Sequence, residues 1–244
     1  IDTLKQAFLG RKDLFTGLYL EHNWDWDTKY PVLHFSFGQG ALRNREELDN
    51  KIHQFLDTYY KEFGVASIYP DVSGRFAYLI REVATKYATK LVVLIDEYDK
   101  PLIDFLNKNE LSIAKENRAT LKSFYSGLKD DAAQAALRFF LITGVSKFSQ
   151  VSLFSDLNYL SDRTLDASLG ALVGYTQEEL EQNFTDYLAD LNQSLPTLTR
   201  PALIEHIREW YNGYSWDAVV RVYNPFSILL LFQQRQFGDF WFKS

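Results

Sequence analysis

The chain has 244 residues, of which 46% are hydrophobic, 24% charged and 16% aromatic, and its formal net charge at pH 7 is −6. This apolar content suffices for one large domain or two small ones and excludes a disordered chain, while the acidic balance argues against a broad basic surface for nucleic acid. The absence of cysteine excludes disulfides and cysteine-ligated zinc, and the apolar runs are too short to span a bilayer, so we expect a soluble cytoplasmic protein with no membrane contact.

Helical and strand patterns alternate in the first part of the chain. An amphipathic pattern over residues 1–9 predicts a helix that ends at Gly10, and residues 32–38 predict a strand. Two further amphipathic patterns predict helices, the first capped by Asn44 and the second by Ser73.

Two continuous apolar runs, residues 90–95 and residues 138–143, predict strands that are buried on both faces. A helical pattern over residues 113–128 separates them. Strands that alternate with helices in this way are typical of a layered α/β domain with a parallel sheet.

Helices without strands are predicted for the last third of the chain. Thr176 and Glu179 form a capping box that begins one helix, and Asn224 begins the last one. We therefore predict two domains, an α/β core over residues 1–170 and a helical domain over residues 171–244.

Two adjacent carboxylates, Asp96 and Glu97, follow the first buried strand. The carboxyl ends of parallel strands face the ligand edge of such a sheet. Asp96 suits the water shell of a Mg²⁺ ion, and Glu97 suits the activation of an attacking water. Strand alternation predicts that the two side chains point to opposite faces. Acidic pairs also end ordinary strands, so a structural role stays open for both residues.

A second polar strand end follows about 45 residues later along the chain. Thr143 lies where a residue contacting the attacking water or the terminal phosphate would lie, with Ser146 as the other candidate. A hydroxyl that satisfies its own turn is the alternative for Thr143. The phosphate-binding pattern G-x-x-x-x-G-K-[ST] is absent from the sequence, so the residues alone do not predict an intact ATPase.

Several segments resemble the predicted AAA-ATPase-like family of bacteria, namely IDTLKQAFLGRKDLFTGLYL, KLVVLIDEYDKPLID, FFLITGVSKFSQVSLFSDLNYLSD and IREWYNGYSWDAVVRVYNPFSILLLF. The resemblance extends over essentially the whole chain. It implies a three-layer P-loop NTPase-like fold with a C-terminal helical lid, and ATP and Mg²⁺ as cofactors. By this resemblance Asp96 and Glu97 match the Walker B pair, and residues 143–147 match the sensor segment.

The resemblance also implies segments on both sides of the chain. A Walker A loop is expected shortly before Ile1, and a PD-(D/E)xK nuclease-like domain is expected after the last residue. Nucleic acid would then be contacted only through that second domain. Because the sequence contains no methionine, we interpret the chain as a fragment, and because the phosphate loop is missing we expect the fragment to be inactive by itself. In such sheets the sensor strand lies beside the phosphate-loop strand, so residues 139–142 are expected to leave one apolar edge open.

Arginine fingers are not assigned from the sequence. Arg118 matches a recurrent arginine of the family, and either a trans-acting role in a homo-oligomer or a structural role fits it; the structural role is favoured. Arg163 lies where the resemblance is loose and is not assigned. The histidines show no metal-ligand spacing, so we expect structural or surface roles for His22, His34, His53 and His206.

Two other functions remain open at this stage. The first is a catalytically inactive scaffold or interaction module on the same fold. The second, less favoured, is a carbohydrate-active protein, in which the tryptophans of residues 24–27 and the aromatic residues of 214–217 would form sugar platforms beside acidic residues.

Overall fold

The protein is described by a computed structural model that divides into two compact units, Ile1–Tyr159 and Leu160–Ser244. The residues that the structure describes are 1–40, 42–145, 160–215 and 219–240. The division falls before residue 170, where the sequence places the domain boundary. The role of residues 171–244 as a lid stays a prediction.

The first unit alternates helices and strands along the chain. In order they are α1 (Asp2–Phe8), α2 (Leu20–Asn23), β1 (Val32–Ser36), α3 (Arg45–Phe63), α4 (Val72–Tyr87), β2 (Leu91–Asp96), α5 (Lys100–Ile103), α6 (Leu111–Ser126), α7 (Asp131–Ala136) and β3 (Leu137–Ile142). The predicted α/β class is confirmed.

The strands form one parallel sheet in the order β1-β2-β3. His34 lies opposite Leu94, and Ile95 lies opposite Ile142. Residues 91–95 of β2 are inaccessible to solvent, because β2 is the central strand and is covered on both faces. The apolar run in the sequence reflects this burial.

Helices cover both faces of the sheet. On one face α1 contributes Phe8, which packs with Val32 and Val92. On the other face Phe35 of β1 contacts the rings of Phe76 and other aromatic residues of α3, α4 and α6. The first unit therefore has three layers, as a P-loop-like fold requires.

The helix ends show which local signals the chain uses. Asn44 caps α3 by accepting a hydrogen bond from the Glu47 N–H at 2.9 Å, which confirms that prediction. The prediction for Ser73 is wrong, because Asp71 caps α4 and accepts from the Gly74 N–H at 2.7 Å. Ser73 lies inside the first turn, and its hydroxyl is 2.8 Å from that of Ser126.

The second unit is mainly helical. Its elements are α8 (Gln177–Asn183), α9 (Thr185–Ser194), α10 (Arg200–Tyr211), β4 (Asn212–Tyr214), β5 (Val222–Tyr223) and α11 (Pro225–Gln234). The predicted capping box is confirmed at the start of α8. The expectation of helices without strands is wrong, because the chain becomes extended at the end of α10 and β4 pairs antiparallel with β5.

Tyr211 helps to close the core of this unit. Its ring packs between those of Phe237 and Phe240, and its hydroxyl donates to the Gly238 carbonyl at 2.9 Å and accepts from the Gly238 N–H at 3.0 Å. A packing role therefore accounts for this conspicuous aromatic residue. Across the described parts of both units, each helix is too short or too polar to cross a bilayer.

Candidate functional site at the carboxyl end of the sheet

Two of the residues that the sequence singles out meet at the carboxyl end of the parallel sheet. Asp96 ends β2, and Thr143 follows β3. The Thr143 N–H donates to the Ile95 carbonyl at 2.9 Å, which brings the two strand ends side by side. The Thr143 hydroxyl then donates to Asp96 Oδ1 at 2.5 Å. A hydrogen bond to a carboxylate is among the stronger ones in proteins, so this pair is well oriented.

Glu97 departs from the strand that precedes it. Its φ angle is +52°, in the left-handed region that non-glycine residues seldom adopt. The Thr143 carbonyl accepts from the Tyr98 N–H at 3.0 Å, so the ladder passes over Glu97 and leaves it as an extra, bulged residue. Regular pleating therefore ends at Asp96, so strand alternation, which predicts opposite faces for Asp96 and Glu97, does not apply to Glu97.

The Glu97 carboxylate lies against Gly38, which follows the end of β1. A Cβ atom built on Gly38 would be only 2.2 Å from Glu97 Oε2. A side chain at position 38 would therefore force this carboxylate to move. The Phe37 N–H donates to the Asp96 carbonyl at 3.1 Å and keeps the two segments adjacent. Sequence reasoning missed Gly38, since a glycine after a strand is an ordinary turn signal.

A buried acid joins the turn after β2 to the segment after β3. Asp99 is 1% exposed, and its Oδ1 accepts from the Val145 N–H at 3.3 Å. A Cβ atom on Gly144 would lie 2.5 Å from Asp99 Oδ1 and from a ring atom of Tyr98. The close fit of Gly144 explains a glycine there, and it gives Asp99 a structural role that the sequence did not suggest.

The charge at this rim is mainly negative. Asp96 is half-buried, Glu97 is exposed, and the ammonium of Lys100 lies 2.8 Å from Asp104. The hydrogen bond that Lys100 donates to Asp104, followed by the charges of Asp104 and Glu97, raises the pKa of Lys100. An anionic ligand would be repelled by two bare carboxylates, so it would need an accompanying cation.

The donor set fits a cation that keeps most of its water. Asp96, Thr143 and Ser36, which lies opposite Asp96 in the sheet, supply oxygen atoms only. In the described part of the chain no three histidine, aspartate or glutamate side chains come together as a metal cage. Mg²⁺ commonly binds through one or two carboxylates, retained waters and substrate phosphates, and this donor set matches that mode.

His34 lies on the same face of β1 as Ser36, two residues earlier. Its Nε2 is buried and has no hydrogen-bond partner among the described residues. Burial, with a smaller contribution from the charge of Lys5, lowers the pKa of His34. The histidine is therefore held neutral beside the rim.

The remaining candidates lie elsewhere or outside the description. Ser146 is outside the described residues. Arg118 lies on the exposed side of α6, and the choice between its two predicted roles stays open. Arg163 forms an ion pair with Asp166 three residues away, at 2.5 Å. This local pairing is consistent with leaving Arg163 unassigned.

The tryptophans proposed as sugar platforms take part in packing. Trp24 contacts the ring of Phe8 with centroids 5.1 Å apart, and Trp26 contacts Phe15 at 5.0 Å. The indole N–H of Trp26 also donates to the Leu20 carbonyl at 3.0 Å. These contacts favour a structural role for both rings. The other part of that hypothesis is residues 214–217, of which Tyr214 lies in β4 and residues 216 and 217 lie outside the described residues.

Comparison with known proteins gives two matches. The model of a family described as predicted AAA-ATPase matches residues 1–154. A protein from Azotobacter chroococcum mcd 1, named "Uncharacterized protein in vnfD 5'region", is 42% identical over 244 residues, which is 100% of this chain and 44% of that protein. The chain thus spans less than half the length of this curated relative. No solved structure matches the chain.

Proposed function

Because the chain belongs to the predicted AAA-ATPase family, we propose that the full-length protein binds ATP with Mg²⁺ and hydrolyses it at the rim formed by Asp96, Glu97 and Thr143. The observation that carries this proposal is the 2.5 Å hydrogen bond between Thr143 and Asp96, at the end of the sheet where ligands of α/β folds bind. Bound Mg²⁺ would neutralise phosphate charge and orient the terminal phosphate.

Asp96 would hold the water shell of the cation. One of its oxygens already accepts from Thr143, which fixes the rotamer of the carboxylate and leaves the second oxygen for an outer-shell contact. The Thr143 hydroxyl has a single proton, so it cannot donate to Asp96 and to a phosphate oxygen at once. Thr143 would therefore orient Asp96 in the empty site and turn toward phosphate in the loaded one.

Glu97 would position the attacking water and accept its proton. The bulge at Glu97 re-aims the side chain away from the regular pleat, and the close approach of Gly38 limits where its carboxylate can lie. Backbone strain at a residue with an acid or base role is a recognised feature of functional sites. ATP hydrolysis depends mainly on such positioning, because little covalent chemistry is required of the protein.

The phosphate-binding loop would come from sequence that precedes Ile1 in the full-length protein. A strand leading into that loop would pair with β3, whose outer edge has no partner strand among the described residues. Pairing there would bring the loop next to Thr143 and Asp96. The backbone N–H groups and the lysine of such a loop would supply the phosphate contacts that this chain lacks.

We further propose that residues 171–244 act as a helical lid and that a nuclease-like domain follows in the full-length protein. The length of the curated relative, of which this chain corresponds to 44%, leaves room for such a domain in that protein. Nucleic acid would be bound through that domain only. The proposal also includes a homo-oligomer, in which Arg118 would reach a neighbouring site.

The proposal is tested by replacing Glu97 in the full-length protein. Glu97→Gln keeps the size of the side chain and removes its basicity, so we expect turnover of ATP to fall by about 10²–10⁴-fold while ATP still binds. Glu62→Gln, at an exposed position of α3, is the matched control and should leave turnover unchanged.

A wild-type protein that binds no ATP, or that binds it without turnover, would contradict this proposal. Binding without turnover, unaffected by Glu97→Gln, would favour the inactive scaffold instead.

A further inference from the structure

Asn117 is a fully buried amide on α6 that joins two distant segments. Its Nδ2 donates to the Leu42 carbonyl at 2.9 Å and to the Pro101 carbonyl at 2.9 Å. An amide nitrogen carries two protons, so both are used. Leu42 is 75 positions away from Asn117 in the chain, and Pro101 is 16 positions away. Asn117 therefore ties the segment after β1 to the first turn of α5, in addition to the bond between the Phe37 N–H and the Asp96 carbonyl.

Each of these segments continues from a residue of the contact between Gly38 and Glu97. Leu42 belongs to the loop after β1, which begins near Gly38, and Gly38 is in contact with the Glu97 carboxylate. Pro101 lies in the first turn of α5, only four residues after Glu97. The backbone of that turn is also fixed at its start, since the Lys100 N–H donates to the Glu97 carbonyl at 3.1 Å. Asn117 thus binds the two segments that continue from Gly38 and from Glu97, the residues that are in contact with each other.

Burial of the Asn117 side chain carries a cost in stability. The side chain is 0% exposed, and its Oδ1 has no hydrogen-bond partner among the described residues. A buried acceptor without a partner is destabilising, and the two hydrogen bonds of the amide nitrogen offset that cost, because a leucine would leave the Leu42 and Pro101 carbonyls without this donor. The two bonds made by the amide nitrogen are therefore what the asparagine provides.

We propose that Asn117 is a positioning residue for Glu97. By holding the loop after β1 and the start of α5 together, it keeps Gly38 against the Glu97 carboxylate and so fixes the direction of the catalytic base. The inference rests on the proposed function, because it assigns Asn117 a part in the hydrolysis attributed to Glu97. It predicts an effect on turnover rather than on nucleotide binding, since Asn117 does not itself line the rim.

The test measures ATP hydrolysis by the full-length protein carrying Asn117→Leu. We expect kcat to fall by about ten- to a hundredfold, because small displacements of a catalytic group have effects of that size, while KM for ATP stays within about twofold. Thr120→Val is the matched control. Thr120 is 5% exposed on the same helix, its hydroxyl has no partner among the described residues, and its removal should leave kcat unchanged.

A second variant separates positioning from a general loss of structure. Gly38→Ala displaces the same carboxylate directly, so the double variant Gly38→Ala with Asn117→Leu should lose no more turnover than the worse single variant. Independent structural damage would instead multiply the two losses. If Asn117→Leu does not fold, Asn117→Asp keeps the shape of the side chain, removes both donors and is measured in its place.

The outcomes distinguish this inference from the function on which it rests. A wild-type protein without turnover, or a fully active Glu97→Gln variant, overturns the proposed function and this inference with it. If Glu97→Gln abolishes turnover but the Asn117 variant has the kcat of Thr120→Val, the inference alone is wrong. A rise in KM at unchanged kcat, or multiplicative losses in the double variant, also overturns it.

Discussion

The two outer edges of the parallel sheet end in different ways. At the β1 edge the hydroxyl of Tyr59, from α3, accepts from the His34 N–H at 2.7 Å and donates to the His34 carbonyl at 2.7 Å. One side chain thus occupies the backbone groups that another strand would use. At the β3 edge no strand of the described residues pairs with the backbone, and the side chains there are partly exposed. Within the described residues, the sheet is therefore closed to extension at the β1 edge and open at the β3 edge.

This difference also locates the candidate site. Asp96 ends β2 and Thr143 follows β3, the two strands nearest the open edge. Tyr59 lies at the opposite edge of the sheet, beside β1. An additional strand that paired with β3 would deliver whatever follows it to the carboxyl end beside Thr143. The open edge of β3 is therefore where the strand before the proposed phosphate loop would pair. Substitutions at either edge of the sheet test this.

The largest effect is expected from Phe140→Pro in the full-length protein. Since the Thr143 N–H points to β2, strand alternation directs the N–H of Phe140 to the outer edge. If an additional strand pairs there, proline removes a ladder hydrogen bond and collides with the partner strand. Denaturant unfolding should then show a loss of about 1–3 kcal/mol beyond that of Phe140→Ala.

Phe140→Ala serves as the control for the lost aromatic ring. Proline is tolerated on edge strands whose N–H faces solvent. Equal unfolding free energies for the proline and alanine variants of the full-length protein would therefore show that the β3 edge stays open and that the proposed strand does not pair there.

A smaller effect is expected at the closed edge. Tyr59→Phe removes the hydroxyl and leaves the N–H and carbonyl of His34 without their partner, so the free energy of unfolding should fall by about 1 kcal/mol. Tyr19, which is 78% exposed, provides the control, and Tyr19→Phe should have no effect. A neutral Tyr59→Phe variant would contradict the view that this hydroxyl closes the edge.

The smallest effect is expected in the pH dependence of the free energy of unfolding, and its source is His34 of β1. The pKa of His34 is lowered by burial, so the folded protein keeps this residue neutral at a pH at which the unfolded chain already binds a proton. Above about pH 6.5 both states are neutral and His34 contributes nothing; below it, stability is lost by at most about 1.4 kcal/mol per pH unit down to the folded-state pKa.

His34→Leu should flatten this loss between about pH 6.5 and pH 5 without lowering stability at neutral pH. His22→Gln, at a histidine whose side chain is 80% exposed, is the control and should keep the wild-type pH dependence. If His34→Leu retains the full loss on acidification, the protonation of His34 is not its source.

The sequence predicts the parts of this architecture that depend on local patterns. The continuous apolar runs predict β2 and β3 because a central strand must be apolar on both faces, and the order of elements predicts their parallel pairing. Asn44 is predictable as a cap because its side chain acts within one turn. The error at Ser73 has the same local origin, since Asp71 offers a competing cap two residues earlier and is the one used.

Other features depend on contacts that no periodicity records. Tyr59 reaches His34 across 25 residues, and Asn117 reaches Leu42 across 75. The left-handed conformation of Glu97 is also hidden in the sequence, because that backbone region favours glycine rather than glutamate. Residue type and position in the sequence therefore identify the pair Asp96 and Glu97, whereas the backbone conformation of Glu97 is known only from the structure.

The most direct test of the central claim is the Mg²⁺ dependence of ATP binding to the full-length protein, measured by isothermal titration calorimetry for the wild type and for Asp96→Asn. Asparagine retains an oxygen that can accept from Thr143, so the local structure should persist while the charge is lost. The account predicts that Mg²⁺ tightens ATP binding to the wild type and that Asp96→Asn loses at least about tenfold of that effect. Identical Mg²⁺ dependence in the two proteins would contradict it.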